Sequence, residues 1–217
     1  MAASSNLKNS VGRPVDHQKT EMMFDAIDLI LANEGIAGLS IEKIAKNAGI
    51  SKATLYRRFG SIKGILAAYV DTFTQNAFNK VHYFERINQT TPFELEPLLN
   101  QMGIELMTLV SNPKVVAFDN AILASGPKFK DLKQLLYSNG PHKAANQIGE
   151  LLKHAGVTSS IFDFNELGDL LFHIWRSGFY DQVKITGEMK IENKELEQHI
   201  ADRTRFFLSK CLIEDLK

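Results

Sequence analysis

The sequence predicts an all-α fold of about nine helices. Apolar residues recur at helical spacing from residue 17 onward, many helix starts carry a capping residue or an early proline, and only six prolines occur in 217 residues. The hydrophobic fraction of 44% and the charged fraction of 23% are ordinary for a folded globular chain. No apolar run approaches the ~20 residues of a membrane-spanning helix. With no apolar signal segment at the amino terminus and a lone Cys211, we expect a cytoplasmic protein without disulfides.

The amino-terminal residues 1–16 are polar and lack apolar periodicity, so we expect a flexible arm. A first helix follows, and Gly35 is its expected C-cap. Four apolar residues of this helix obey the i, i+3, i+4, i+7 rule and would face a core: Met23, Ala26, Ile27 and Ile30.

Serines mark the starts of the next three helices. Ser40 would cap a very short second helix that stops at Gly49, and Ser51 would cap a third that runs to about Arg58. Ser61 opens a long fourth helix, expected over 61–84, with apolar residues on one stripe.

Later helix starts are marked by proline or by acidic caps. Asn112-Pro113 places a capping Asn before a proline at the first helical position. Asp163, with a glutamate three residues on, opens an apolar helix expected over 163–180. The last helix is expected over 193–214, with Cys211 deep inside it, and the stretch 181–192 is expected to be irregular.

The net charge of zero hides an uneven distribution. Residues 43–63 contain six cations and no acidic residue. Such a basic stretch indicates either a local contact with a polyanion or a solvated helix face, and charge alone leaves both open.

The second and third helices have the layout of a helix-turn-helix. A small residue, Ala48, stands where the helices touch, Gly49 makes the sharp turn, and Ile50 would pin the corner. In this motif the second helix enters the major groove. That helix carries Lys and Arg for phosphate or guanine, hydroxyls for phosphate, and a small alanine: Lys52, Ala53, Thr54, Tyr56, Arg57 and Arg58. Ser40 and Ser51 cap helices whether or not DNA binds. The alternative role for Tyr56 is that of a half-buried packing residue.

Residues across about 17–77 resemble the amino-terminal domain of the TetR/AcrR family. The resemblance is carried by Gly35, Leu39-Ser40, Ile44-Ala45, Ala48-Gly49-Ile50-Ser51, and Thr54-Leu55-Tyr56 through Phe59. It implies a dimeric, one-component transcriptional regulator, usually a repressor that a small ligand releases from its operator. It also implies DNA contacts at Ser40, Lys52, Ala53, Thr54, Tyr56 and Arg58. One departure is Ile62, where the family often has Lys; Lys63, one position later, is the candidate for that phosphate contact.

The arm contains Gly12-Arg13-Pro14, which resembles a minor-groove element of flexible DNA-binding tails. A narrow A·T minor groove has an enhanced negative potential that attracts an inserted arginine. Arg13 is therefore a further candidate DNA contact.

We predict a DNA-binding domain over 17–77, with its helix-turn-helix at about 40–59, and a regulatory and dimerisation domain over 78–217. The stretch from Pro127 to Gly156 loosely resembles the AefR-type regulatory domains. Twelve of the fourteen Phe and the only Trp follow residue 72, so this half has material either for an apolar ligand cavity or for an ordinary core. The candidate pocket residues are Phe118, Tyr137, Phe172, His173, Trp175 and Tyr180.

By the same resemblance, the helices at about 163–180 and 193–214 pair with those of a second copy. Phe206, Phe207 and Leu208 are consecutive and cannot all face one core, so at least one is expected in a homodimer interface.

Other function classes fit less well. No two histidines stand three or four apart on a helix, and no phosphate-binding loop or nucleophile motif is present, so we expect no enzyme, no metal and no cofactor. An activator or a ligand-independent DNA-binding protein of the same fold is an alternative, as are a helical adaptor and a nonspecific packaging protein. The protein-binding face of an adaptor would tolerate acidic residues, whereas the basic stretch has none.

Overall fold

The computed structural model describes residues 17–79, 95–188 and 191–213, and confirms the all-α prediction. Eleven α-helices lie within these ranges: α1 His17–Glu34, α2 Ile41–Ala48, α3 Lys52–Phe59, α4 Ile62–Asn79, α5 Leu95–Val110, α6 Pro113–Ala124, α7 Lys130–Asn139, α8 Pro141–His154, α9 Phe164–Arg176, α10 Tyr180–Thr186 and α11 Asn193–Leu208. Two 3₁₀ turns, Ile36–Gly38 and Pro127–Phe129, precede α2 and α7. The predicted arm, with Arg13, and the end of the predicted fourth helix, 80–84, lie outside the described residues.

The carboxy-terminal half departs from the predicted boundaries in three places. The helix expected over 163–180 ends at Arg176, because Ser177 is extended and Gly178 has a φ of +95°. The stretch 181–192, expected to be irregular, contains most of α10, a helix too short for its apolar period to show.

The helix expected over 193–214 ends at Leu208. The chain then turns, and β2 (Leu212–Ile213) pairs antiparallel with β1 (Val157–Thr158), which follows α8. The expectation that Cys211 lies deep in the last helix is therefore wrong. It follows the helix, half-buried, with its Sγ 3.4 Å from the Phe207 carbonyl oxygen, and burial raises the pKa of its thiol.

Helices α8 and α9 cross at two glycines. A Cβ at Gly168 would lie 2.1 Å from the Ala145 carbonyl oxygen, and a Cβ at Gly149 would lie 2.4 Å from the Phe164 carbonyl oxygen. Since both obstacles are backbone atoms, only glycine allows this close approach.

The buried apolar residues form two clusters. One lies among α5, α8, α9 and α11, around Trp175. The other combines the apolar faces of α1 to α4 with Phe118, Ile122 and Leu132 from α6 and α7. The predicted α1 stripe of Met23, Ala26, Ile27 and Ile30 is fully buried there. The core of the amino-terminal helices thus continues into the carboxy-terminal half.

Among the described residues, no helix combines the length and apolar character that crossing a membrane requires.

Candidate functional site

Helices α2 and α3 meet at a tight turn. Gly49 has a φ of +64°, a left-handed conformation that glycine adopts without steric cost, and its N–H donates to the Ala45 carbonyl oxygen. The Ile50 N–H donates to the same carbonyl oxygen at 3.0 Å. Ala48 and Ile50 are both buried. These contacts give α2 and α3 the geometry of a helix-turn-helix.

Helix α3 has one buried and one exposed side. Leu55 is buried in the amino-terminal core, and Phe59 packs against it. Tyr56 is 50% exposed. The other exposed side chains of this helix are those of Lys52, Ala53, Arg57 and Arg58. An exposed face with three cations and a tyrosine can approach phosphates and base edges.

The serines predicted at the helix starts act as caps. Ser40 Oγ accepts from the Lys43 N–H at 3.2 Å, and Ser51 Oγ accepts from the Thr54 N–H at 3.2 Å. The Ser51 and Thr54 hydroxyl oxygens lie 2.9 Å apart. Ser40 therefore fixes the amino-terminal turn of α2, and Ser51 and Thr54 fix that of α3. The contact of these three side chains with DNA stays a prediction.

The basic side chains differ in how they are held. Lys52 pairs with Glu42 of α2 at 3.1 Å, between two half-exposed side chains. Backbone hydrogen bonding and this lysine lower the pKa of Glu42. Arg57 has no hydrogen bond or ion pair with any residue in the described part of the chain. Among the cations of α3, Arg57 is the one most available to a phosphate.

Two further cations are tied to neighbouring helices. Arg58 Nη2 donates to Thr20 Oγ1 of α1 at 2.9 Å, and its guanidinium lies over the Phe59 ring. Lys63 forms an ion pair with Asp131 of α7 and thereby lowers the pKa of Asp131. To reach DNA, each would have to leave its present partner, and no local pattern in the sequence indicates either partner.

A cavity of about 80 Å³ lies between the amino-terminal core and the carboxy-terminal helices. By the same kind of measure a water needs about 10–15 Å³, so the cavity has room for several water-sized groups. Three of the predicted pocket residues, Phe118, Phe172 and Tyr180, line it. Lining residues that the sequence analysis did not find include Tyr69 of α4, Asp119 of α6 and Arg176 of α9.

The other three predicted pocket residues lie away from the cavity wall. Tyr137 is exposed and stacks on the His142 ring. His173 is exposed, with its Nδ1 2.9 Å from the Asp169 carbonyl oxygen. Trp175 is fully buried, and its Nε1–H donates to Thr204 Oγ1 at 3.0 Å. In each case an adjacent residue on the same helix lines the cavity instead. These adjacent residues are Leu136 beside Tyr137, Phe172 beside His173 and Arg176 beside Trp175.

Two charged residues face the cavity. The Asp119 carboxylate pairs with Lys184 Nζ of α10 at 3.0 Å, with both side chains less than one quarter exposed. Burial raises the pKa of Asp119, while the nearby Lys184 and Arg176 charges oppose that shift. The Arg176 guanidinium lies 3.9 Å from the centroid of the Tyr180 ring.

Tyr69 joins the cavity to the DNA-binding helices. Its ring lies 5.0 Å from that of Phe118 in the cavity wall and 5.2 Å from that of Phe24 on α1. Its hydroxyl donates to the Asp28 carboxylate of α1, which also pairs with Lys114 of α6 at 2.6 Å. Burial and the adjacent carboxylate raise the pKa of Tyr69. One buried side chain therefore contacts α1 and α6 and lines the cavity.

Residues 25–69 match the family model described as "Bacterial regulatory proteins, tetR family". The chain is 21% identical over 197 residues to the HTH-type transcriptional regulator YerO of Bacillus subtilis, covering 86% of this chain and 63% of that protein. It is 25% identical over 121 residues to the HTH-type transcriptional regulator EthR of Mycolicibacterium smegmatis, covering 55% of this chain and 54% of that protein. The chain thus spans less than two thirds of each of these relatives.

Solved structures show the same fold. A structure from Mesorhizobium loti, described as a TetR-family transcriptional regulator, has a TM-score of 0.73 at 17% identity, covering 93% of this chain and all of that one. The flavonoid-responsive regulator FrrA has a TM-score of 0.68 at 22% identity, covering 90% of this chain and 97% of that one. The resemblance to this family that the helix-turn-helix residues predicted is confirmed.

Proposed function

We propose that this chain, whose helix-turn-helix residues match the TetR family of transcriptional regulators, binds DNA as a dimeric repressor and is released by a small ligand. It would bind a palindromic operator through a domain at 17–77 and bind its ligand in a domain at 78–217. Because its target is chromosomal DNA, it would act in the cytoplasm.

The exposed face of α3 is the observation that carries the DNA-binding part. Lys52, Tyr56 and Arg57 are exposed on this helix, whereas Leu55 is buried and anchors it to the amino-terminal core. The caps at Ser51 and the turn at Gly49 hold this helix against α2, so the face is presented on a rigid element.

Selection of bound fragments from random DNA would identify the operator, and fluorescence anisotropy would then measure the affinity of variants. Lys52→Ala and Arg57→Ala should each weaken binding. For each phosphate interaction that a variant removes, the log–log salt slope should fall in magnitude by about 0.9. Lys153→Ala, an exposed cation on α8, is the matched control and should change neither quantity. Unchanged affinity in the double variant would refute the assignment of α3 as the recognition helix.

The dimer proposal is supported by apolar side chains exposed on α9 and α11. Leu170 is 37% and Phe206 is 58% exposed, whereas the adjacent Phe207 is buried in the core of its own chain. A second copy would cover them, and one helix-turn-helix alone reads too few base pairs for an operator. Sedimentation should give a dimer at micromolar concentration, and Phe206→Glu should shift it toward monomer. A monomeric parent chain would contradict the proposal.

Release by ligand is supported by the position of the cavity beside Tyr69. A ligand against Phe118 and Tyr69 would act on α1 and α4, the helices that support α2 and α3. By linkage, a ligand that lowers DNA affinity tenfold must itself bind the DNA complex tenfold more weakly, about 1.4 kcal/mol. Titration of each ligand with and without operator measures this ratio. Equal affinities would leave a DNA-binding protein that the cavity does not regulate.

A further inference from the structure

The wall of the cavity is apolar apart from four residues. Val, Leu, Phe, Ala, Gly and Pro make up most of it, and the exceptions are Tyr69, Asp119, Arg176 and Tyr180. A ligand that fills it therefore has a largely apolar body and room for one polar end. The nature of that end depends on which of the four polar groups is still available.

Two of the four are occupied within the protein. The Tyr69 hydroxyl donates to Asp28, and the Asp119 carboxylate accepts from Lys184 Nζ at 3.0 Å. A cationic ligand would have to take Asp119 from Lys184 and lie beside the Arg176 charge. Both requirements disfavour a cation.

Arg176 has no carboxylate partner of this kind, and the polar group that interacts with its guanidinium is the Tyr180 hydroxyl. No carboxylate forms an ion pair with its guanidinium among residues 17–79, 95–188 and 191–213, and its Nε is buried without a hydrogen-bond partner. A buried N–H without an acceptor is costly, and a charged donor more so. The guanidinium is held in place by the Tyr180 ring, 3.9 Å away, and the Phe172 ring, 5.4 Å away, both of which line the cavity.

We infer that the cavity takes a small apolar carboxylate, with its apolar body against Phe118 and Phe172 and its carboxylate on the Arg176 guanidinium. Arginine is suited to this task because its planar fork donates two parallel hydrogen bonds to a carboxylate. Lys184 has a supporting role: by pairing with Asp119 it keeps that carboxylate from competing for Arg176. The inference rests on the proposed function only in taking this cavity as the ligand site.

Two pairs of isosteres test the charge of the polar end directly: hexanoate against hexanamide, and benzoate against benzamide. We expect isothermal titration of the full chain at neutral pH, without DNA, to show that the acid of at least one pair binds about tenfold or more tightly than its amide. Arg176→Gln should abolish this preference and leave amide binding unchanged. Arg205→Gln is the matched control, because Arg205 is an exposed arginine of α11, and it should keep the preference.

Equal or tighter binding of both amides, or no saturable binding of either acid at millimolar concentration, would overturn the inference. Loss of the acid preference in Arg205→Gln would overturn it as well, since a general charge effect would then explain the result. If Arg176→Gln does not fold, the acid-to-amide ratio of the parent chain still decides. The titration contains no DNA, so its outcome does not depend on ligand release. If the acids bind selectively but a separate measurement finds the operator affinity unchanged, this inference stands and release by ligand is refuted.

Discussion

Tyr69→Phe is the substitution that most directly probes the junction between the cavity and the DNA-binding helices. It removes one hydroxyl and keeps the ring that packs between Phe24 and Phe118. The interaction it removes is the hydrogen bond to Asp28. The ring stays in the cavity wall, so ligand contacts are retained while the hydrogen bond to α1 is lost.

The expected cost follows from the surroundings of Asp28. A hydrogen bond to a charged group contributes about 1.5–3 kcal/mol. Asp28 keeps Lys114 at 2.6 Å after the substitution, and its side chain is 21% exposed, so the carboxylate is not left without partners. We therefore expect the lower part of that range, about 1.5–2 kcal/mol of unfolding free energy.

A double-mutant cycle with Lys114→Met makes the test specific. Lys114 is 56% exposed, so its loss alone should cost about 0–1 kcal/mol. Without Lys114, Asp28 depends more on Tyr69, and Tyr69→Phe should then cost about 0.5–1 kcal/mol more than in the parent chain. Urea denaturation followed by circular dichroism measures all four corners of the cycle.

Tyr56→Phe, the same substitution at a half-exposed tyrosine of α3, is the control and should change stability by less than about 0.5 kcal/mol. A cost for Tyr69→Phe no larger than the control, with no coupling to Lys114, would refute the role of Asp28 as the link. With operator and ligand in hand, Tyr69→Phe should also reduce the effect of ligand on DNA affinity.

Two further predictions concern the carboxy-terminal half. Gly168→Ala should destabilise the chain by about 1–3 kcal/mol or more, because the new Cβ would lie 2.1 Å from the Ala145 carbonyl oxygen and force α8 and α9 apart. A midpoint of urea denaturation equal to that of the parent chain would contradict this close crossing of the two helices. His199 Nε2 lies 2.8 Å from the Trp175 carbonyl oxygen, and burial lowers the pKa of this histidine. Below about pH 6.5, the histidine of the unfolded chain therefore takes up a proton more readily than that of the folded chain. Stability should therefore fall as the pH drops below that value, and His199→Gln should flatten this part of the curve of unfolding free energy against pH.

The amino-terminal fold was predictable because its signals are local. Ser40 and Ser51 stand next to the turns they cap, and Gly49 has the left-handed φ that its place in the turn indicated. Leu55 is buried and the α3 face opposite it is exposed, as the helical period required. Each of these properties depends on residues at most four positions apart.

The cavity was only partly predictable, because its wall depends on contacts between distant helices. Helix periodicity marks Trp175 as apolar, but whether it faces a cavity or Thr204 depends on where α11 lies. Arg176 and Asp119 gave no signal, since an isolated charged residue in a sequence is ordinarily exposed. Their roles arise from Tyr180 and Lys184, which a seven-residue helix brings against α6 and α9.

Two polar contacts of α4 differ in magnitude: Lys63 pairs with Asp131 of α7, and Tyr69, beside the cavity, donates to Asp28 of α1. The Lys63–Asp131 ion pair joins side chains that are 63% and 71% exposed, and such a pair contributes about 0–1 kcal/mol and weakens with salt. The Tyr69–Asp28 hydrogen bond is screened from water on the tyrosine side, and it adjoins the cavity. If ligand release transmits a tenfold change in DNA affinity, about 1.4 kcal/mol, the surface pair alone is too weak, and we expect the contacts of Tyr69 beside the cavity to contribute more. Lys63→Met should accordingly leave the ligand effect on DNA affinity nearly intact at 0.3 M salt, where Tyr69→Phe still reduces it. A ligand effect that disappears with Lys63 and persists without the Tyr69 hydroxyl would reverse this order.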